Sequence, residues 1–91
     1  GIFTEIVRDL SLKLAPLDRE DALSLIEGTR FSQVLKGARG QKPCDLDSLT
    51  DLLVKVSLMP FLYPEIEEMD LNPVFLLEKG VLIGDARIIK K

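Results

Sequence analysis

Between Asp45 and Pro60 the apolar residues fall at helical spacing. Leu46, Leu49, Leu53 and Val56 share one face, and Leu52 and Met59 widen the stripe. Asp45 or Asp47 is placed to cap this helix, and Pro60 is expected to end it. A stripe of this width asks for cover, and the chain has little to cover it with. Its 91 residues fit one domain, 1–91, and a chain this short hides only about 60–65% of its unfolded surface. With no Trp, one Tyr and four Phe, the core has to be aliphatic, and seventeen Leu carry most of it. Alone, such a domain should be marginal or lean on a partner.

Composition removes several function classes. Apolar residues make up 46% and charged residues 30%, a globular balance. The net charge of −3 argues against a broad basic surface for nucleic acid or anionic lipid. Absence of His removes the commonest general base, the commonest metal ligand and any His-centred triad. The single Cys44 excludes an internal disulfide and a Cys-based zinc site, and a reducing, cytoplasmic setting is the simplest expectation. No apolar run approaches the roughly 18–20 residues that span a bilayer. The sequence opens without Met in strand-like residues, Gly1-Ile2-Phe3-Thr4-Glu5-Ile6-Val7, as a piece of a larger protein would.

The remaining elements follow from local signals. Ile2 to Leu14, interrupted by Arg8-Asp9, reads as a strand, a turn and a return strand closed by Pro16. Asp18 is a candidate N-cap with Asp21 three residues on, Leu17 can staple against Ala22, and Gly28 is a stop. Thr29 to Pro43 reads as irregular, with a small apolar knot at Val34 and Leu35. The last third is extended: Met69 to Leu77, a turn near Glu78-Lys79-Gly80, then Val81 to Ile89. The order ββ, α, α, ββ predicts an α+β fold in which two β-hairpins form an antiparallel sheet covered by helices on one face.

Two segments carry chemistry. In Met69-Asp70-Leu71-Asn72-Pro73, strand alternation puts Asp70 and Asn72 on one side and Met69 and Leu71 on the other. A carboxylate and an amide oxygen side by side suit a hard cation such as Mg²⁺, which takes one or two carboxylates plus phosphate oxygens and water. Asp85 on the return strand joins them if the register sets it opposite Asn72 or Asp70, and a slip of one residue turns it away. Pro73 lacks the ladder N–H and implies an edge or a bulge here. The blander reading is that these groups are solvated or capping, as Glu65, Glu67 and Glu68 are expected to be. In Lys36-Gly37-Ala38-Arg39-Gly40, two glycines flank an arginine, so backbone and guanidinium can approach an anion together, although an exposed charged loop has the same composition. The spacing is not that of a P-loop. Cys44 has no base beside it in sequence and no catalytic reading of its own.

These residues also resemble a known family. Gly1-Ile2-Phe3-Thr4-Glu5 with Leu12-Lys13-Leu14-Ala15-Pro16-Leu17 is similar to the "GGIFVE…FRLAPL" stretch of ADP-forming acyl-CoA (acetate–CoA) ligases. Gly37-Ala38-Arg39-Gly40 resembles their "RGxRG" loop, and Met69 to Pro73 with Gly84-Asp85-Ala86-Arg87-Ile88 resembles their "ELDINP…VDARI" ending. Lys36 stands where Arg is usual, and Thr4 where Val is common. More distantly, succinyl-CoA synthetase β subunits share the "E-I-N-P … L-D" pattern. The resemblance covers essentially the whole chain, in order. It implies the C-terminal part of an ATP-grasp domain from an enzyme that converts acyl-CoA, ADP and phosphate to acid, CoA and ATP.

The resemblance implies that Asn72 and Asp85 hold Mg²⁺ on the nucleotide (ATP/ADP), with Asp70 completing that set and Arg39 in the cofactor-binding loop. The lid, the nucleotide-clamping Lys, the CoA-binding α subunit or domain and the phosphorylated His lie outside these residues. No catalytic residue is therefore assigned within them. The expected partners are that CoA-binding subunit and the rest of the ATP-grasp domain in an oligomeric enzyme, with no nucleic acid and no membrane. Two other readings fit the same residues: the ligase-like regulatory region of a bacterial protein-lysine acetyltransferase, and a non-catalytic interaction module.

Overall fold

A computed structural model describes residues 16–29, 32–37, 40, 42–71 and 73–91. The expected first hairpin, Ile2 to Leu14, lies outside the described residues. Helix α1, Arg19–Glu27, starts at an N-cap Asp18 whose side chain accepts from the Asp21 N–H, while the Asp21 carboxylate accepts from the Asp18 N–H in return. This reciprocal cap satisfies two N–H groups that a helix start leaves open. Leu17 and Ala22, either side of the cap, are both buried. A single-turn helix α2, Ser32–Leu35, replaces the irregular knot expected around Val34, and its Leu35 is buried in the core.

Helix α3 runs over Leu46–Leu62. Pro60 does not end it. Proline removes one N–H from the ladder, which near a C-terminus costs only part of the last turn, and Tyr63 N–H closes that turn on Met59 C=O at 2.8 Å. Leu49, Leu53 and Val56 of the stripe are buried, together with Thr50 and Ser57. Both hydroxyls are satisfied within the helix: Thr50 donates to Leu46 C=O and Ser57 to Val54 C=O, and Ser57 also accepts the Leu17 N–H at 2.9 Å. The core joins Leu17, Ala22 and Ile26 of the first segment to Leu35, to the α3 stripe and to Leu71 and Val74 of the strands.

The last third is one long hairpin split into two antiparallel ladders. Strand β1, Ile66–Leu71, pairs with β4, Ala86–Lys90, and β2, Val74–Leu76, pairs with β3, Val81–Ile83. The root ladder sets Met69 opposite Ile88, Asp70 opposite Arg87 and Leu71 opposite Ala86, with an irregularity between Ile66 and Glu68. The tip ladder sets Val74 opposite Ile83, Phe75 opposite Leu82 and Leu76 opposite Val81. The two ladders keep one register, with two residues on each strand between their inner pairs.

Leu71 and Val74 are both in the core although they lie three residues apart, on opposite sides of an ideal pleat. The hairpin therefore changes the side it turns to the core across this break. Among the described residues the antiparallel pairing forms two two-stranded pieces, and Phe75 and Leu82 of the tip face outward, 48% and 55% exposed.

Candidate functional site

The break between the ladders is where the predicted cation ligands gather in sequence. Pro73 has no N–H to give, and its carbonyl accepts from Gly84 N–H at 2.8 Å, so the strands stay joined here by a single described bond. Gly84 is packed against the proline: a Cβ there would meet Pro73 Cγ and Cδ and Phe75 Cε2 at 3.0 Å. Glycine is what lets the two strands come this close.

Asp70 is the second-last residue of β1, just before the break, half-buried, and its Oδ1 is sealed from solvent with no hydrogen-bond partner among the described residues. Leaving a buried carboxylate oxygen unpartnered costs about 1–3 kcal/mol, and such a group is where an absent cation or ligand atom is expected. Asp85 is exposed, with its Oδ1 accepting the Ala86 N–H at 2.9 Å and its other oxygen without a recorded partner among the described residues. The residue opposite Asp70 is Arg87, so Asp85 does not face Asp70 directly; it lies two residues before Arg87, in the break just ahead of β4. Asn72, the third expected ligand, lies outside the described residues. Among the described residues no group of three or more His, Cys, Asp or Glu side chains is gathered closely enough for a metal. The expected set contributes only two such side chains, its third member being an amide.

Arg39 also lies outside the described residues. The glycines flanking its loop are in the left-handed region, Gly37 at φ 98° and Gly40 at φ 75°, a conformation that L side chains rarely adopt. Lys36 at the start of that loop is engaged elsewhere, its Nζ 2.7 Å from Glu27 Oε2. Glu65, Glu67 and Glu68 are exposed, and Cys44 is a half-buried free thiol.

Asp45 does more than its sequence position announces. Its carboxylate caps α3 by accepting from Ser48 N–H at 3.0 Å and from Ser48 Oγ at 2.9 Å. The same Oδ2 accepts the Gly80 N–H at 2.6 Å, and the Asp45 N–H donates to Leu77 C=O at 2.9 Å. The hairpin tip is thus fastened at two points to the start of the central helix. The Gly80 N–H, followed by the Ser48 donors, holds the Asp45 carboxyl below its ordinary value of 3.8. The capping half of this role was visible in the sequence. The Gly80 link, 35 residues away, was not, and neither was the pairing of Arg87 with Asp70, because both depend on where the hairpin docks.

This chain matches the ATP-grasp domain family over residues 1–89, and it belongs to that family. It is 44% identical over 89 residues to the β subunit of acetate–CoA ligase [ADP-forming] I of Pyrococcus furiosus, a match covering 98% of this chain and 38% of that one. It is 38% identical, again over 89 residues, to acetate–CoA ligase [ADP-forming] I of Archaeoglobus fulgidus, covering 98% of this chain and 13% of that protein. Among solved structures, the dinucleotide-forming acetyl-coenzyme A synthetase 1 of Ca. Korarchaeum cryptofilum, in complex with coenzyme A and Mg-AMPPCP, superposes with a TM-score of 0.84 at 38% identity. That match covers all of this chain and 43% of the other. The chain therefore spans about two-fifths of its β-subunit relative. None of the helices among the described residues is long and apolar enough to cross a membrane.

Proposed function

We propose that this chain is the metal- and nucleotide-binding part of an ADP-forming acyl-CoA ligase, which converts acyl-CoA, ADP and phosphate to acid, CoA and ATP. The observation that carries the reading is the buried Oδ1 of Asp70, without a partner among the described residues, beside the break in the hairpin. A carboxylate oxygen with no partner among the described residues, a second carboxylate in the break just before β4 and an amide oxygen between them in sequence form an oxygen-only donor set, which fits Mg²⁺. Asp70, Asn72 and Asp85 would hold the ion, and Arg39 would contact a phosphate from the glycine-flanked loop. Bound there, Mg²⁺ would neutralise nucleotide phosphate charge and align the phosphates for in-line transfer.

The residues of this chain bind and orient; they supply no nucleophile. A relative named as a β subunit supports a partner subunit; in this reading that partner binds CoA, the remainder of the ATP-grasp domain completes the nucleotide site, and the oligomer acts in the cytoplasm. Phe61, Leu62 and Tyr63 at the end of α3, between 49% and 66% exposed, are the kind of apolar surface such neighbours would cover. Calorimetry of the 91-residue chain alone with Mg-ATP is accordingly expected to give binding weaker than micromolar.

Steady-state kinetics of the full-length ligase at varied Mg²⁺ test the proposal. Asp85→Asn should lower turnover at least tenfold, about 1.4 kcal/mol in the barrier, with partial rescue at high Mg²⁺. Wild-type activity of Asp85→Asn at every Mg²⁺ concentration would remove the metal assignment.

A further inference from the structure

The register makes Asp70 and Arg87 direct cross-strand partners. Side chains so placed leave the same side of the ladder with Cβ atoms about 4.5–5.5 Å apart, close enough for opposite charges to pair. Yet Asp70 Oδ1 has no partner, and Arg87, exposed, has no ion pair among the described residues. The other arginine described behaves differently: Arg19 forks onto two carboxylates, 2.5 Å from Asp47 and 2.8 Å from Asp51. An arginine in this chain can find its acids, so the separation of Arg87 from Asp70 is a feature of the site.

We propose that Arg87 binds a phosphate group held beside the cation of Asp70 and Asp85. This rests on the metal reading above and extends it to a residue that reading does not use. Committed to a guanidinium, Asp70 would be a poorer ligand for a metal. Committed to a metal, it no longer holds Arg87, whose fork of donors then faces outward next to the ion. Guanidinium geometry matches two phosphate oxygens at once, and such charge-assisted bonds are among the stronger ones in water-exposed sites. A phosphate arriving here also needs a local positive charge, because the chain is net acidic and Glu67 and Glu68 lie exposed on the facing strand. The phosphate can belong to the nucleotide or be the free inorganic substrate; its chemistry at the guanidinium is the same.

The test is steady-state kinetics of the full-length ligase with Arg87→Gln, Arg87→Lys and, as a charge control on the same strand, Lys90→Gln. Arg87→Gln should raise the KM for ADP or for phosphate by roughly tenfold to a hundredfold, the usual loss for a hydrogen bond to a charged group. Which of the two rises identifies the source of the phosphate. Arg87→Lys keeps the charge without the fork and should recover part of the loss, which a misfolded protein would not do, while Lys90→Gln should leave both constants unchanged. Unchanged KM for both substrates in Arg87→Gln would overturn the proposal, and a lowered Mg²⁺ requirement in that variant would show that Arg87 serves only to balance Asp70. Failure of this inference is separable from failure of the metal reading. In the first case Asp85→Asn still acquires its altered Mg²⁺ dependence; in the second it does not.

Discussion

In the tip ladder of the hairpin, the turn's Gly80 N–H and Leu77 C=O are both bonded to Asp45 at the start of the central helix. In the root ladder, half-buried Asp70 keeps one oxygen sealed from solvent and bonded to nothing described. These are the same residue type, one at the start of the helix that holds the hairpin tip and one in the hairpin root, and the contrast separates two uses of a carboxylate. Asp45 is spent on structure, with helix cap and hairpin tether drawn from one group. Asp70 is left with unused capacity, at a local cost to folding, as the proposed role in holding a cation requires. The break between the ladders allows both, since it lets the tip and the root turn different sides to the core.

The largest structural effect should follow from cutting the tether. Asp45→Ala removes the cap of α3 and the anchor of the hairpin turn together, and the melting temperature should fall by several degrees or more in a thermal scan monitored by circular dichroism. If Asp45→Ala melts as the parent does, the tip is not held as described. Its titration sharpens the point. The folded-state pKa of Asp45 is depressed, so its contribution is complete above the unfolded value and is lost as pH falls through the folded one. Stability should therefore be insensitive to this group near neutrality and decline in acid below about pH 4, the ordinary carboxylate range. In Asp45→Asn that part of the acid-side slope should be missing from denaturant melts taken across pH.

Next in size is Gly84→Ala, which presses a methyl group onto Pro73 and Phe75. Phe75 is half exposed and can swing aside, whereas the proline ring is fixed to its backbone. A cost of about 1–2 kcal/mol is expected from urea melts, with Phe75→Leu relieving only part of it. Full relief would mean that the Pro73 contact is not the constraint. Smallest is Glu67→Gln on the exposed side of the root, which should stay within roughly ±0.5 kcal/mol of the parent and keep full activity in the ligase.

What could be read from the sequence divides along similar lines. The capping residues of α1, the stripe of α3 and the turn at Glu78 to Gly80 are local signals, and all three stand where expected. Pro60 misled because a proline near a helix end removes one bond without stopping the turn that follows. Val34 and Leu35 gave too short a period to reveal the one-turn α2. The carboxylates of the candidate site were legible from alternation and from family likeness. Their relation to each other was not, because register and the change of core-facing side at Leu71 to Val74 are set by docking against α3, a contact that no local pattern records. Arg87 illustrates the difference: its residue type was plain, and its place opposite Asp70 required the ladder.

The central claim is that Asp70 holds its carboxylate for a cation and not for the fold. It is tested most directly by melting the full-length protein and its Asp70→Asn variant, each with and without Mg²⁺ in the presence of a non-hydrolysable nucleotide. Without Mg²⁺ the variant should melt at or above the parent temperature, because the sealed Oδ1 has no partner among the described residues to lose. On adding Mg²⁺ only the parent should gain stability, by the amount that ligand binding to the folded state confers. A variant that melts lower than the parent in the absence of metal, and that gains as much as the parent when Mg²⁺ is added, would contradict the account.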